Sequence, residues 1–173
     1  MSVLMADTRR DLDIRRYPVL VYALAPLVAL LLQAWLPRLL GRFAWFDLPL
    51  VVTVYFALSR RSPIHGTVMG CLLGLFEDAL THRPIGINGV AKTVAGFLAA
   101  SVGVRIAVDH FTIRLVLIFS LSLLSSGLYF FVYRYVLGLA LEPNWLGELY
   151  TAVGNSVIGL AAFPLLDKFQ VRD

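Results

Sequence analysis

The stretch Gly66-Thr-Val-Met-Gly70-Cys-Leu-Leu-Gly74-Leu-Phe-Glu-Asp78 decides the fold of this chain. Three glycines and an aspartate recur every four residues, so they share one slowly rotating face of a helix. Glycine inside a helix costs about 1 kcal/mol relative to alanine in water. In lipid, such faces allow two helix backbones to approach closely. The pattern therefore predicts a helix packed tightly against a neighbour, with an acid at its end that is near water, paired or functional.

The composition predicts a membrane protein. Hydrophobic residues make up 59% of the chain and charged residues 15%, against about 45–50% and about 25% in soluble domains. A soluble fold of 173 residues cannot hide that much apolar surface, whereas a bilayer can accept it. We expect one all-α transmembrane domain over residues 1–173. The net charge of +4 is modest and the basic residues are dispersed, which favours topogenic charge over nucleic-acid binding.

Six apolar runs predict six transmembrane helices, at about residues 19–36, 43–59, 64–80, 85–108, 115–133 and 149–166. The first, fifth and sixth runs carry no charge and approach the ~20 residues needed to cross a bilayer. The other three contain Asp47, the pair Glu77 and Asp78, and the pair Lys92 and Arg105. Unpaired charge at the bilayer centre costs about 2.5–3.5 kcal/mol, so we expect the uncharged helices to shield the charged ones.

The distribution of basic residues predicts that both termini lie in the cytoplasm. Residues 1–17 form a basic N-terminal segment, and with six spans ten lysines and arginines fall on the inner side and four on the outer side. The fifteenth lies inside a span.

Residues at the ends of the spans are predicted to anchor the protein in the membrane. Trp35, Trp45 and Trp145 fall at the outer boundary, where indole rings prefer to lie. Arg60 and Arg61 are positively charged anchors at the inner boundary, with contact to anionic lipid or to a cytoskeleton as the alternative.

The embedded charges predict an ion pair. Lys92 lies about 10 Å below the outer rim of the fourth span, on an antiparallel helix next to Glu77 and Asp78. Acids near a helix C-terminus oppose the helix dipole, so a cationic partner stabilises them. We therefore expect Lys92 to reach Asp78 or Glu77. The alternative is that both acids lie in headgroup water while Lys92 extends alone towards the interface.

The segment Pro84-Ile-Gly-Ile-Asn-Gly89 is predicted to be the turn that begins the fourth helix. Pro84 ends the turn, Gly86 and Gly89 permit a sharp change of direction, and Asn88 is placed to cap the helix by accepting from its free amides. Alternatively, this segment is unwound and lines a polar pocket with the neighbouring charged residues, which would hold a small polar ligand.

Motifs of membrane-embedded enzymes are not found in the sequence. Asp78 does not follow the Gly-x-Gly pattern of acidic membrane proteases, and His65, His82 and His110 lie singly in three different turns. Clustered histidines and acids would be needed for metal-dependent hydrolysis. We therefore expect no enzymatic activity, no catalytic residue, no metal and no cofactor.

Four short motifs follow one another along the chain: Pro49, Ala57-Leu58 with Arg60-Arg61, Gly74-Leu75 with Asp78, and Pro84-Ile85-Gly86. In order and spacing, this set resembles the family of the rod shape-determining protein MreD. A serine before the two arginines and an isoleucine in place of leucine in the last motif are departures from the family pattern. The detailed resemblance covers about residues 43–103, and elsewhere only the hydropathy pattern agrees.

The resemblance implies a non-enzymatic scaffold of the bacterial cell-elongation machinery in the cytoplasmic membrane. Such proteins bind MreC, and through it MreB, RodA and a penicillin-binding transpeptidase of peptidoglycan synthesis. The glycine face of Gly66, Gly70 and Gly74 would pack within the protein or against MreC. The family is also similar in fold to the substrate-binding membrane subunits of energy-coupling-factor vitamin transporters, whose Ala-x3-Ala face corresponds to Ala25 and Ala29.

Two alternatives to a scaffold of cell elongation remain open at this point. In the first, the protein is a small-molecule-binding subunit of a vitamin-type transporter. In the second, it is a membrane protein whose role is to stabilise a single partner.

Overall fold

The computed structural model describes residues 17–39, 46–105, 110–140, 142 and 144–170. This part of the chain is mostly helical and contains no strand, which confirms the predicted all-α class and the predicted number of six α-helices. Residues 1–16 and Trp45 lie outside the described residues, so the basic N-terminal segment and this anchor stay predictions. The helices are α1 (Val19–Leu39), α2 (Leu48–Arg60), α3 (Pro63–Leu80), α4 (Ile87–Arg105), α5 (Phe111–Phe131), which continues into a π-helical segment (Val132–Val136), and α6 (Trp145–Asp167).

Among the described residues, four helices are long and apolar enough to cross a membrane, which indicates a multi-pass membrane protein. They are α1, α4, α5 with its π-helical extension, and α6. Helix α2 is apolar but has only 13 residues, which corresponds to about 20 Å and falls short of a ~30 Å hydrocarbon layer.

Helix α2 forms the centre of the bundle. Every residue from Pro49 to Ser59 is buried, because α2 packs against α1, α3, α4 and α6. Its start is determined locally, since Pro49 lies in the first turn and Asp47 Oδ1 accepts a 2.9 Å hydrogen bond from the Leu50 amide. It ends at Arg61, which adopts a left-handed conformation with φ of 50°.

The helices with embedded charges are the more deeply buried ones, as the sequence predicts. In the most apolar 18-residue stretch of α4, 56% of the residues are buried, against 22% in α1, 22% in α5 with its π-helical extension and 28% in α6. Helix α3 is divided: its glycine face is buried, whereas the opposite face, with Ile64, Val68 and Leu72, is exposed. Glu77, Asp78 and Lys92 therefore lie in a protein-lined interior, whereas Arg105 at the end of α4 is exposed.

The most extensive helix pair is α3 with α4, and the glycine face forms this contact. A Cβ atom on Gly66, Gly70 or Gly74 would overlap the backbone carbonyl group of Gly96, Lys92 or Asn88, respectively. A Cβ on Gly70, for example, would lie 2.6 Å from the carbonyl carbon of Lys92. The two helix backbones therefore touch along three successive turns, and only glycine fits on the α3 side.

Candidate functional site

The central feature of the site is a lysine buried between two carboxylates from different helices. Lys92 on α4 is fully buried, and its Nζ lies 2.7 Å from Asp47 Oδ2 and 2.7 Å from Glu77 Oε2. Asp47 immediately precedes α2, and Glu77 lies in the last turn of α3. The trio thus ties three helices together, and its formal charges sum to −1.

The sequence predicted only part of this arrangement. Glu77 is a partner of Lys92 and lies in the interior with 3% of its surface exposed, so the alternative in which this acid lies in headgroup water is wrong. Asp78 is not placed on Lys92; Asp47 takes that position, 45 residues away in the chain. Asp47 was recognisable as an embedded charge, but local spacing does not show which helices adjoin, so its pairing was missed.

Asp78 caps the start of α4. Its Oδ2 accepts hydrogen bonds from the backbone amides of Gly86 at 2.8 Å and Asn88 at 3.1 Å, and the amide of Gly89 lies at 3.5 Å. The predicted role of Asn88 as the cap is therefore wrong, because its Nδ2 instead donates to Asp78 Oδ1 at 2.8 Å. A carboxylate suits this position, because the free amides and the positive end of the α4 dipole both favour a negative charge.

The turn between α3 and α4 brings the Asp78 carboxylate to these amides. Pro84 is exposed in the turn, and Gly86 adopts φ of +106°, a conformation that residues with a side chain rarely adopt. Gly89 already belongs to α4, where a Cβ would lie 3.0 Å from Leu75 Cδ2. The turn thus depends on the conformation of Gly86, and the start of α4 on the close approach of Gly89 to Leu75.

A polar cavity of about 460 Å³ lies beside the ion trio. Its wall includes Asp47, Glu77 and Asn88 from the site, together with Arg83 and Ser126. The guanidinium of Arg83 lies 5.5 Å from the ring centre of Tyr129, which also lines the cavity. The volume falls within the roughly 300–1,000 Å³ range of small-molecule sites. The cavity is therefore large enough for the small polar ligand that the alternative interpretation of this region requires.

Uncharged polar side chains around Asp47 were missed in the sequence. Asn155 on α6 accepts a 2.8 Å hydrogen bond from the Asp47 amide through Oδ1 and donates through Nδ2 to Ser122 Oγ at 2.7 Å. Gln33 on α1 donates to the Phe46 carbonyl at 2.8 Å. These polar residues lie within apolar spans. An amide side chain in such a span needs a hydrogen-bond partner, and this requirement could have identified them in the sequence.

A second polar group ties α2, α5 and α6 together near the opposite ends of these helices. Tyr55 donates a 2.8 Å hydrogen bond to Asp167 Oδ1 and lies 2.6 Å from the hydroxyl of Tyr17. Arg114 Nη1 donates to Asp167 Oδ2 at 3.0 Å. Sequence spacing did not suggest this group either, since its members come from four separate segments.

The residues predicted to pack against a helix or a partner face the protein interior. The glycine face packs on α4, which is the first of its two predicted roles, packing within the protein or against MreC. Ala29 is buried and Ala25 packs against the same core, so both alanines also serve helix packing within the protein. Trp35 and Trp145 are exposed, as expected of anchoring residues at a membrane boundary.

Within the described ranges, no group of three or more histidine, cysteine or acidic side chains is arranged to hold a metal ion. No protein-family model, curated protein or solved structure matches the chain.

Proposed function

We propose that this protein is a non-enzymatic scaffold of the MreD type in the bacterial cytoplasmic membrane. Its six helices cross the membrane with both termini in the cytoplasm, and it binds a single-span, MreC-like protein of the cell-elongation machinery. Through that protein it links MreB on the inside with RodA and a penicillin-binding transpeptidase.

The observation that carries this proposal is the convergence of the motifs that resemble the family. Pro49 starts α2 next to Asp47, and Gly74 meets the backbone of Asn88. Asp78 holds the start of α4 across the turn that contains Gly86. Pieces spread over more than 30 residues therefore form one connected unit around the buried lysine, which is what a family-specific structural core requires.

The arrangement of polar and aromatic residues supports the proposed topology. Trp145 lines the polar cavity together with Arg83, at the end of the bundle that carries the Lys92 trio. Arg60, Arg105 and Arg114 lie at the opposite ends of their helices. An inner end rich in arginine follows the positive-inside rule. The polar groups that line the outer cavity allow water to enter it. Helix α2 therefore needs to cross only the remaining part of the hydrocarbon layer, for which its length is sufficient.

A scaffold needs a rigid interior and an apolar exterior, and this bundle has both. The Lys92 trio and the Asp78 cap connect α2, α3 and α4, while α1, α5 and α6 leave most of their apolar surface exposed. The single transmembrane helix of a partner packs laterally on such a surface through van der Waals contact.

A tagged pull-down from native bacterial membranes tests the proposal. We expect a single-span protein with an extracytoplasmic coiled coil to be recovered, and we expect depletion of this protein to convert rods into round cells. Recovery of an ATPase module instead, with cell shape unchanged upon depletion, would contradict the scaffold role.

The cavity favours a second candidate function, a small-molecule-binding subunit of a vitamin-type transporter. Ser126→Trp places a bulky ring in the cavity, and Ser120→Trp is its control, because Ser120 lies on the exposed side of the same helix. If the protein is a scaffold, both variants retain the partner and support rod shape. If it is a transporter subunit, a vitamin raises the melting temperature of the wild type and of Ser120→Trp but not that of Ser126→Trp.

A further inference from the structure

A second, apolar cavity of about 920 Å³ lies between α1 and α3, over the buried surface of α2. We call this cavity the α1–α3 groove; it is lined by Tyr22, Leu27, Leu31, Arg60, Val68 and Leu72, among others. The α3 side is a row of exposed residues spaced by four, which comprises Ile64, Val68, Leu72, Phe76 and Leu80. This row has the same period as the glycine face but points away from α4, so the bundle itself leaves it uncovered.

The polar lining of the groove is concentrated at one end. Tyr22 at the start of α1, Arg60 at the end of α2 and His65 at the start of α3 meet there. The Arg60 Cζ lies 4.9 Å from the centre of the Tyr22 ring, within the range of a cation–π interaction, which favours a guanidinium at this end of the groove.

Two polar atoms at this end are buried without a hydrogen bond from the described part of the chain. They are Nε of Arg60 and the hydroxyl oxygen of Tyr22. Buried donors of this kind cost about 1–3 kcal/mol or more when they stay unsatisfied, and an arginine fork fits the oxygens of a phosphate. Both atoms lie beneath the surface, so the groups that the polar end of the groove offers to an anion are the terminal N–H groups and the positive charge of the Arg60 guanidinium.

The dimensions of the groove fit an acyl chain better than a helix. From Tyr22 to Leu31 the α1 wall is nine residues long, or about 14 Å, close to the ~15 Å depth of one leaflet. Spread over about 14 Å, a volume of about 920 Å³ gives a cross-section of about 65 Å², whereas a helix 10–12 Å across needs roughly 80–110 Å². A transmembrane helix would only rest on the rim.

We propose that the α1–α3 groove binds one anionic phospholipid, with its phosphate on the Arg60 guanidinium and its acyl chains along Val68 and Leu72. In the topology proposed above this lipid belongs to the cytoplasmic leaflet, where anionic headgroups are concentrated. The site does not depend on which protein is the partner. A lipid fits the groove because its anionic head matches the charge at one end and its apolar tail matches the walls beyond it.

Retention of lipid on the purified, full-length protein tests the site, measured by native mass spectrometry after mixing with phosphatidylglycerol, phosphatidylcholine or inorganic phosphate. We expect phosphatidylglycerol to be retained about fivefold better than phosphatidylcholine. Arg60→Gln should lower the retention of phosphatidylglycerol about tenfold. Arg61→Gln is the matched control: it removes the same charge one residue away and outside the groove, and should change retention less than twofold.

A second pair of variants distinguishes lipid binding in the groove from general binding of lipid to the apolar surface. Val68→Trp fills the groove, and Val116→Trp adds the same ring to α5 at a valine that is equally exposed, at 52% against 51%. We expect Val68→Trp to lose the bound lipid and Val116→Trp to keep it, with both variants monodisperse in size-exclusion chromatography.

Three results would overturn the proposal. Equal losses in Arg60→Gln and Arg61→Gln would show attraction to surface charge alone. Competition by inorganic phosphate as strong as that by phosphatidylglycerol would mean that the apolar walls bind no lipid. A photoreactive benzoylphenylalanine at position 68 that links to a protein segment in native membranes, and not to lipid, would show that the groove holds a partner helix or residues 1–16.

Discussion

Removal of the buried lysine is the sharpest test of the structure. In Lys92→Met, Asp47 and Glu77 stay next to each other in the interior without their shared cation. Breaking a buried pair by removing one partner costs about 3–5 kcal/mol, whereas loss of an exposed pair costs about 0–1 kcal/mol. For a chain of this length, 3–5 kcal/mol corresponds to a fall in melting temperature of about 6–20 °C.

The assay is thermal denaturation in detergent micelles, with the fraction that stays monodisperse measured by size-exclusion chromatography. Arg114→Met is the comparison variant, because its ion pair with Asp167 spans 3.0 Å between side chains that are 14% and 27% exposed. We expect this variant to lose about 1–3 kcal/mol, because its ion pair is partly buried.

A double-mutant cycle identifies the partner of Lys92. Glu77→Gln alone leaves Lys92 paired with Asp47, so we expect a cost of about 1–3 kcal/mol. The combination of Lys92→Met with Glu77→Gln removes one of the two uncompensated charges, so it should be milder than the sum of the single variants by about 0.5–3 kcal/mol. The reasoning is refuted if the two costs simply add, or if Lys92→Met is no less stable than Arg114→Met.

Three further predictions concern α3, α4 and the turn between them. Gly70→Leu forces a side chain into the Lys92 carbonyl and should cost about 3 kcal/mol or more, with little recovery of folded protein; Gly127→Leu, where nothing lies within 4 Å, should be recovered like the wild type, and equal recovery of both would disprove the close contact. Asp78→Asn removes the charge that caps α4 and should cost about 1 kcal/mol, seen as faster hydrogen exchange at the Gly86 and Asn88 amides; unchanged exchange there would contradict the cap. Gly86→Ala should cost about 1–3 kcal/mol in the same thermal assay because of its φ of +106°, and a stabilised variant would show that this conformation is not required.

Much of the architecture was predictable from local sequence. The number of helices and their approximate places follow from hydrophobic run length, because a helix satisfies its own backbone and needs no information from distant residues. The four-residue spacing of Gly66, Gly70 and Gly74 likewise implied a close backbone contact, since any helix places these residues on one face.

The site was predicted in part, and the errors share one cause. The sequence identified Lys92, Glu77 and Asp78 as embedded charges but assigned Asn88 as the cap and did not assign Asp47 to Lys92. The identity of the capping residue and the partner of Lys92 both depend on the rotation of one helix relative to another and on which helices are neighbours. That information is distributed over the whole bundle and leaves no periodic trace in a single segment.

The sequence by itself determined that this protein is an apolar helical bundle with one glycine face and a few embedded charges, because periodicity and hydropathy are properties of consecutive residues. Only the tertiary structure decided that Asp47 closes the ion trio, that Asp78 caps α4, and that the row containing Val68 lines an open groove. Pairing across helices is a matter of distance in space, and residues 45 positions apart become neighbours only after the chain has packed.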